Sequence, residues 1–295
     1  MEDADARRYL RRAADGTSQA AALHAEERAN ADALAAFART ESAEAAKALI
    51  LRIRRTVLAI VGGALFLVSA ALLRNVQIEG QVFALLTGVV VGPATHDAIG
   101  KLAVPVAAGR VWCGWACWTA AAIDQLPYRR DAAWWPRRYR RLRAWHLGAV
   151  VTGVAVLVAA FGYDQGAVGP HALAWFLAGN AVYWTLAVGL AVALRDNRAF
   201  CKYACPVAEI LRFTSRPAVL KISGDPDACA ECASRACTTV CPMGVDVAAT
   251  VLAGERVGGG ECIACQQCMA VCPPNTLEPS FALDWARGDR LVERA

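Results

Sequence analysis

The chain alternates long apolar stretches with short, strongly charged ones. Residues 1–50 are rich in alanine and charge, with a break at Gly16 and a capping residue, Thr17 or Ser18, behind it. That pattern predicts a solvated helical hairpin, or an arm that docks a partner. Thr56–Leu73 then runs 18 residues without a charge, long enough for a membrane-spanning helix. Arg52, Arg54 and Arg55 stand before it and place its start on the cytoplasmic side. A second apolar segment, Val82–Ala108, contains Gly92-Pro93 and the polar residues His96, Asp97 and Lys101, which predicts a broken or kinked span. Residues 129–143 carry seven arginines against one acid and mark a cytoplasmic loop. Ala144–Tyr163 and Ala172–Leu194 are the third and fourth spans, and Arg195, Arg198 and Lys202 follow on the cytoplasmic side. The expected topology is four spans with both termini inside.

Composition agrees with a chain that spends much of its length in lipid. It is 57% hydrophobic and only 19% charged, below the quarter usual for soluble proteins. The net charge of +5 matters less than its placement at the ends of apolar runs. Those arginines read as topology signals and lipid-headgroup contacts rather than a nucleic-acid surface. The N-terminus shows no secretory pattern. The reading is a multi-pass protein of a prokaryotic inner membrane, with its C-terminal part in the cytosol.

That location changes the meaning of the cysteines. There are twelve, against four histidines, and eight of them lie between residues 229 and 272. In a reducing compartment such crowding favours metal over disulfides. Cys262-x2-Cys265-x2-Cys268-x3-Cys272-Pro273 is the bacterial ferredoxin run, and Cys229-x2-Cys232-x4-Cys237-x3-Cys241-Pro242 differs by two extra residues. Three closely spaced thiolates wrap three corners of an iron–sulfur cube, and the fourth cysteine serves the other cube. The predicted [4Fe-4S] clusters are therefore Cys229, Cys232, Cys237 and Cys272 for one, and Cys262, Cys265, Cys268 and Cys241 for the other. Paired four-cysteine zinc sites are the alternative, but they usually use two Cys-x2-Cys knuckles.

Two more cysteine pairs sit beside the apolar segments. "VWCGWACW" holds Cys113 and Cys117, and a near copy, "CKYACP", holds Cys201 and Cys205. Each pair is four apart, so on a helix both thiols of a pair share one face. Three roles are open: a third metal or cluster shared by the four thiols, redox-active thiols, or packing. Trp112, Trp115 and Trp118 read as an interface belt, or as a shield around a cofactor.

These features together resemble the membrane polyferredoxins. Four spans, "GRVWCGWAC" before a loop, "CKYACP" after the last span and a terminal two-cluster ferredoxin are similar to that family over roughly residues 55–275. It includes the quinol-oxidising subunit of periplasmic nitrate reductase systems, the membrane regulator of nitrous oxide reductase and the ferredoxin of cytochrome oxidase assembly. Its paired motifs usually read Cys-x3-Cys-Pro; Pro206 keeps that proline, and Trp118 replaces it. The resemblance implies an electron carrier linking a quinone pool, a flavin or a soluble donor to a redox partner protein or enzyme complex.

The expected fold class is mainly α: a four-helix transmembrane domain followed by a small α+β two-cluster ferredoxin-like domain. The segments are 1–50, 51–206, 207–280 and a C-terminal tail, 281–295. His96 and Asp97, an ionisable pair inside an apolar segment, are the candidate quinone contact. The leading function is a membrane-anchored electron-transfer subunit, either an electron carrier or a quinol dehydrogenase subunit of an oxidoreductase complex. A maturation factor that reduces a thiol or metal in another protein, and a structural anchor for a redox enzyme, are the alternatives.

Overall fold

The structure is a computed structural model that describes residues 48–68, 103–128, 137–161, 170–272 and 276–292, with a few isolated positions besides. The predicted N-terminal hairpin and the pair His96 and Asp97 lie outside the described residues. The chain divides into two compact units, Met1–Leu49 and Ile50–Ala295.

That unit is mainly helical with one small sheet. Helix α1 covers 50–68, and α2 covers 103–108. Gly109, with φ 65°, ends α2 in a conformation that a side chain would resist. Helices α3 (Val111–Trp115) and α4 (Trp118–Ile123) follow. A 3-10 turn, Arg137–Arg141, leads into α5 (Leu142–Phe161), and α6 runs Pro170–Leu194. Pro170 opens α6 where its missing N–H costs nothing. Arg195, at φ 51°, closes it, and the Asp196 N–H returns to the Ala191 carbonyl at 3.0 Å.

The helical stretches Arg138–Ala160 and Leu177–Leu194 are long and apolar enough to cross a membrane. Only 11% and 22% of their apolar windows are buried, whereas a core helix of a soluble protein would be mostly covered. They fall on the third and fourth predicted spans. Helix α1 falls on the first, and the second is described only at its end. Among the described residues two membrane-length helices stand where four spans are expected.

Beyond α6 the elements shorten. They are α7 (Ala199–Tyr203), α8 (Pro206–Thr214), β1 (Leu220–Ser223), α9 (Pro226–Glu231), α10 (Ala236–Thr239), α11 (Val247–Leu252), α12 (Gln267–Ala270) and β2 (Glu278–Phe281). Strands β1 and β2 pair antiparallel, Leu220 opposite Phe281. Asp225 and Asp246 cap α9 and α11 through their carboxylates.

The predicted boundary at 206/207 is not a break in packing. One core runs from Ile123, Tyr183, Ala187 and Phe200 into Met243, Val245, Val251 and Ile263. The Val219 N–H also reaches the Ala107 carbonyl at 3.0 Å. Residues 281–292, expected to be a tail, are stitched into the same body. Asp246 N–H donates to Arg290, Val292 N–H to Gly244, and Val245 bridges Leu291. The backbone polar groups of this segment would otherwise be left to solvent, and strand-like pairing satisfies them.

Candidate iron–sulfur centre

The eight C-terminal cysteines fall into two groups, and the grouping crosses the sequence. Cys229, Cys232, Cys237 and Cys272 line one cavity with Val247, Ala248, Val251 and Leu277. Cys241, Cys262, Cys265 and Cys268 line another with Ile222, Met243, Val257 and Ile263. Each cavity takes three thiols from one run and one from the other. The backbone turns that allow this are strained: Arg235, Ala264 and Gln266 hold φ of 43°, 49° and 62°. Non-glycine residues in that region cost on the order of 1–3 kcal/mol each, a cost usually seen at functional sites. Ala264 also aims its N–H at Cys262 Sγ, 3.4 Å away.

The two groups are covered alike: Cys237 and Cys272 are buried with Cys229 and Cys232 half-buried in one, and Cys265 and Cys268 are buried with Cys241 and Cys262 half-buried in the other. Burial pushes Cys241 up to about 11 and Cys262 and Cys268 well above the ordinary thiol value. The Ser234 hydroxyl, with backbone N–H groups, holds half-buried Cys232 below that value. Buried thiolates need a cation, and four soft donors between apolar walls suit iron with sulfide. Among the described residues no three His, Cys, Asp or Glu side chains stand close enough to share a single metal ion.

Two polar devices that sequence reasoning did not anticipate hold the inner group in place. Asp289 accepts from the backbone N–H of Gly258, Gly259, Glu261 and Cys262 at 3.0, 2.7, 2.6 and 2.9 Å. It fixes the loop that enters the second cysteine run. Nothing in the sequence around Asp289 signals this. Glu261 meets three arginines: Arg143 at 2.6 Å, Arg140 at 3.0 Å and Arg110 at 3.3 Å. Burial alone would push the Glu261 carboxyl up, but the Arg143 hydrogen bonds and the three guanidiniums outweigh it and hold it at about 2. Arg140 further donates to the Met243 carbonyl at 2.6 Å. These two members of the arginine loop are thus buried structural groups, where the sequence suggested headgroup contacts.

The other four cysteines also come together, but not as a helical pattern suggests. Cys113 lies in α3 and Cys201 in α7, while Cys117 and Cys205 are the extended N-caps of α4 and α8. Each pair therefore straddles a helix junction rather than one helical face. The junctions are near copies: Cys117 has φ −65° and ψ 122°, and Cys205 has φ −67° and ψ 113°. Burial first, and neighbouring thiols after it, push Cys117 and Cys205 up.

This junction rests on the inner cysteine loop. Trp115 donates its indole N–H to the Ala264 carbonyl at 2.9 Å. Gly114 packs on Ile263 so closely that only glycine fits. Arg54 and Arg198 both reach Asp124, at 3.0 and 2.6 Å, and tie α1, α4 and the turn before α7 together. Arg110 and Arg198 stand three residues before the first cysteine of each pair, a repeat visible in the sequence but easy to pass over.

Comparison with known proteins agrees with the geometry. Residues 221–273 match a 4Fe-4S dicluster domain. Residues 98–138 and 181–223 each match a 4Fe-4S binding domain. An uncharacterised protein of Methanocaldococcus jannaschii is 27% identical over 184 residues, 58% of this chain. The match spans 64% of that relative's length. No solved structure matches. The matched domains fall on the cysteine-bearing segments and support an iron–sulfur protein of ferredoxin type.

Proposed function

We propose that the protein is a membrane-anchored electron-transfer subunit. It carries two [4Fe-4S] clusters, one on Cys229, Cys232, Cys237 and Cys272, the other on Cys262, Cys265, Cys268 and Cys241. It passes electrons between the quinone pool, or a membrane partner, and a redox partner protein. The observation that carries this reading is the crossed lining of the two cavities. The clusters supply reversible one-electron chemistry when bound; the chain supplies thiolates, apolar walls and N–H groups that set their potentials.

The arrangement also has a direction. The inner quartet lies against Gly114 and Trp115, at the ends of the apolar helices. The other quartet, with half-buried Cys229 and Cys232, lies away from that contact. It is the end that meets a redox partner in this reading.

The test uses the full chain in lipid vesicles containing a reduced quinone. Quinol-driven bleaching of cluster absorbance supports the quinone link. His96→Ala should slow that bleaching and leave reduction by dithionite unchanged. Cluster reduction by dithionite alone, with neither quinol nor a copurifying partner able to replace it, would overturn the reading.

A further inference from the structure

We propose that residues 281–287 form a strap lying in the headgroup layer of the lipid bilayer, with Phe281, Leu283 and Trp285 turned into the membrane. The proposal rests on the membrane-anchored reading above and adds a lipid contact made by the ferredoxin part itself.

The strap is held from one side. The Ala282 N–H donates to the Val219 carbonyl at 3.1 Å, and the Ala286 N–H to the Arg216 carbonyl at 3.1 Å. Between them the Asp284 carboxylate holds Lys221 at 2.5 Å and also pairs with Arg256. Alternate residues of extended chain face opposite ways. Residues 282, 284 and 286 make the inward bonds, so 281, 283 and 285 face out. Phe281 is 74% exposed, Leu283 86% and Trp285 69%. Single apolar side chains on a surface need no explanation, but a row of large ones on one face of an anchored segment marks a contact.

The anchors show what covers that face. Val219, which accepts from Ala282, donates its own N–H to the Ala107 carbonyl at 3.0 Å. Ala107 stands at the end of the second apolar segment. The other end of the strap is tied to a different apolar helix. Asp289 accepts from the Glu261 N–H at 2.6 Å, and the Glu261 carboxylate meets Arg143 at 2.6 Å. Arg143 lies in the first turn of α5. Trp145, two residues on, is 77% exposed, and an exposed tryptophan at the end of an apolar helix marks the membrane–water boundary. The strap thus runs between the ends of two apolar segments. A bilayer that holds those segments has its headgroup layer at that level.

The chemistry of the outward face suits lipid. Asp284 and Asp289 are both engaged in inward bonds, so neither opposes an anionic headgroup. Arg287 is exposed two residues beyond Trp285. Beside the strap, Phe213 is 50% exposed, with the Arg212 and Arg216 guanidiniums 4.9 and 5.2 Å from its ring. Aromatic rings at the acyl boundary with arginines at the phosphates are the interfacial pattern.

The test puts a photoreactive diazirine-phenylalanine at one position at a time in the full chain, reconstituted in vesicles of phosphatidylcholine and phosphatidylglycerol. Leu283 reads the strap, Trp145 the start of α5, and Asp227, exposed in α9, the solvent. Mass spectrometry after illumination identifies what each position has captured. Lipid adducts at Leu283, in a yield matching Trp145 and absent at Asp227, are expected. Lipid at Trp145 with a second copy, residues 1–49, a copurifying protein or only water captured at Leu283 would overturn the strap and leave the membrane-anchored reading standing. Equal lipid yields at Leu283 and Asp227 would overturn it too, since the strap would then be no closer to the bilayer than the solvent position. Lipid at neither Leu283 nor Trp145 would overturn the membrane-anchored reading, and the strap with it.

Discussion

Gly114 and Ile263 touch across 149 positions of chain: a Cβ at Gly114 would lie 2.2 Å from the Ile263 carbonyl oxygen. The first residue belongs to the "WCGWAC" junction, the second to the inner ferredoxin loop. Backbone this close leaves no side chain between the two cysteine sites.

Gly114→Ala should therefore force the junction and the loop apart. The expected destabilisation is about 1–3 kcal/mol, as for overpacked cores. Gly148→Ala, where a Cβ meets nothing within 4 Å, is the matched control. Thermal unfolding and electron exchange between clusters should both worsen in the first variant only. Equal behaviour of the two would show that the contact is slack.

Glu261 should be worth more than any exposed ion pair. Glu261→Gln leaves Arg110, Arg140 and Arg143 buried without their anion, at a cost of about 3–5 kcal/mol. The carboxyl sits at about 2 when folded and about 4.3 when unfolded. Its contribution is thus fully present above the unfolded value and is lost as pH falls through about 2. Denaturant midpoints should separate wild type from Glu261→Gln by a constant amount near neutral pH. The gap should narrow below about pH 4. A gap that widened in acid would contradict the ion cluster.

The crossed quartets make a genetic prediction. Cys237→Ala and Cys272→Ala should damage the same cluster although 35 positions separate them. Cys241→Ala should damage the other. Paramagnetic resonance of the three variants decides it, and loss of one common signal from Cys237→Ala and Cys241→Ala would undo the assignment.

Asp289→Asn keeps the shape of the loop anchor but removes its charge. Charge-assisted hydrogen bonds are about twice as strong as neutral ones. The inner cluster should then release iron to a chelator faster, with the outer cluster unaffected. Uniform release from both would assign Asp289 a global role only.

The arginines flanking the apolar runs carry a topology prediction. Reporter fusions at Gly166 and Gly258 should report opposite sides of the membrane. The same side for both would exclude the four-span arrangement.

The sequence by itself determined what depends on local spacing. The ferredoxin runs named their cysteines because a tight loop around a cube permits few separations. Leu142–Phe161 and Pro170–Leu194 were legible within two residues because uninterrupted apolar length has few other uses. Tertiary structure decided what depends on distant partners. The spacing of Cys113 and Cys117 suggested one helical face, but Ala116 ends a helix there and Cys117 begins the next. Residues after 281 carried no periodicity, yet Asp289 anchors the inner loop through four backbone N–H groups. Arg140 and Arg143 counted equally with their neighbours as positive charge, and only folding picked them out for Glu261. Charge along a chain sets orientation by its sum, whereas a buried ion pair needs one particular acid brought from more than a hundred residues away.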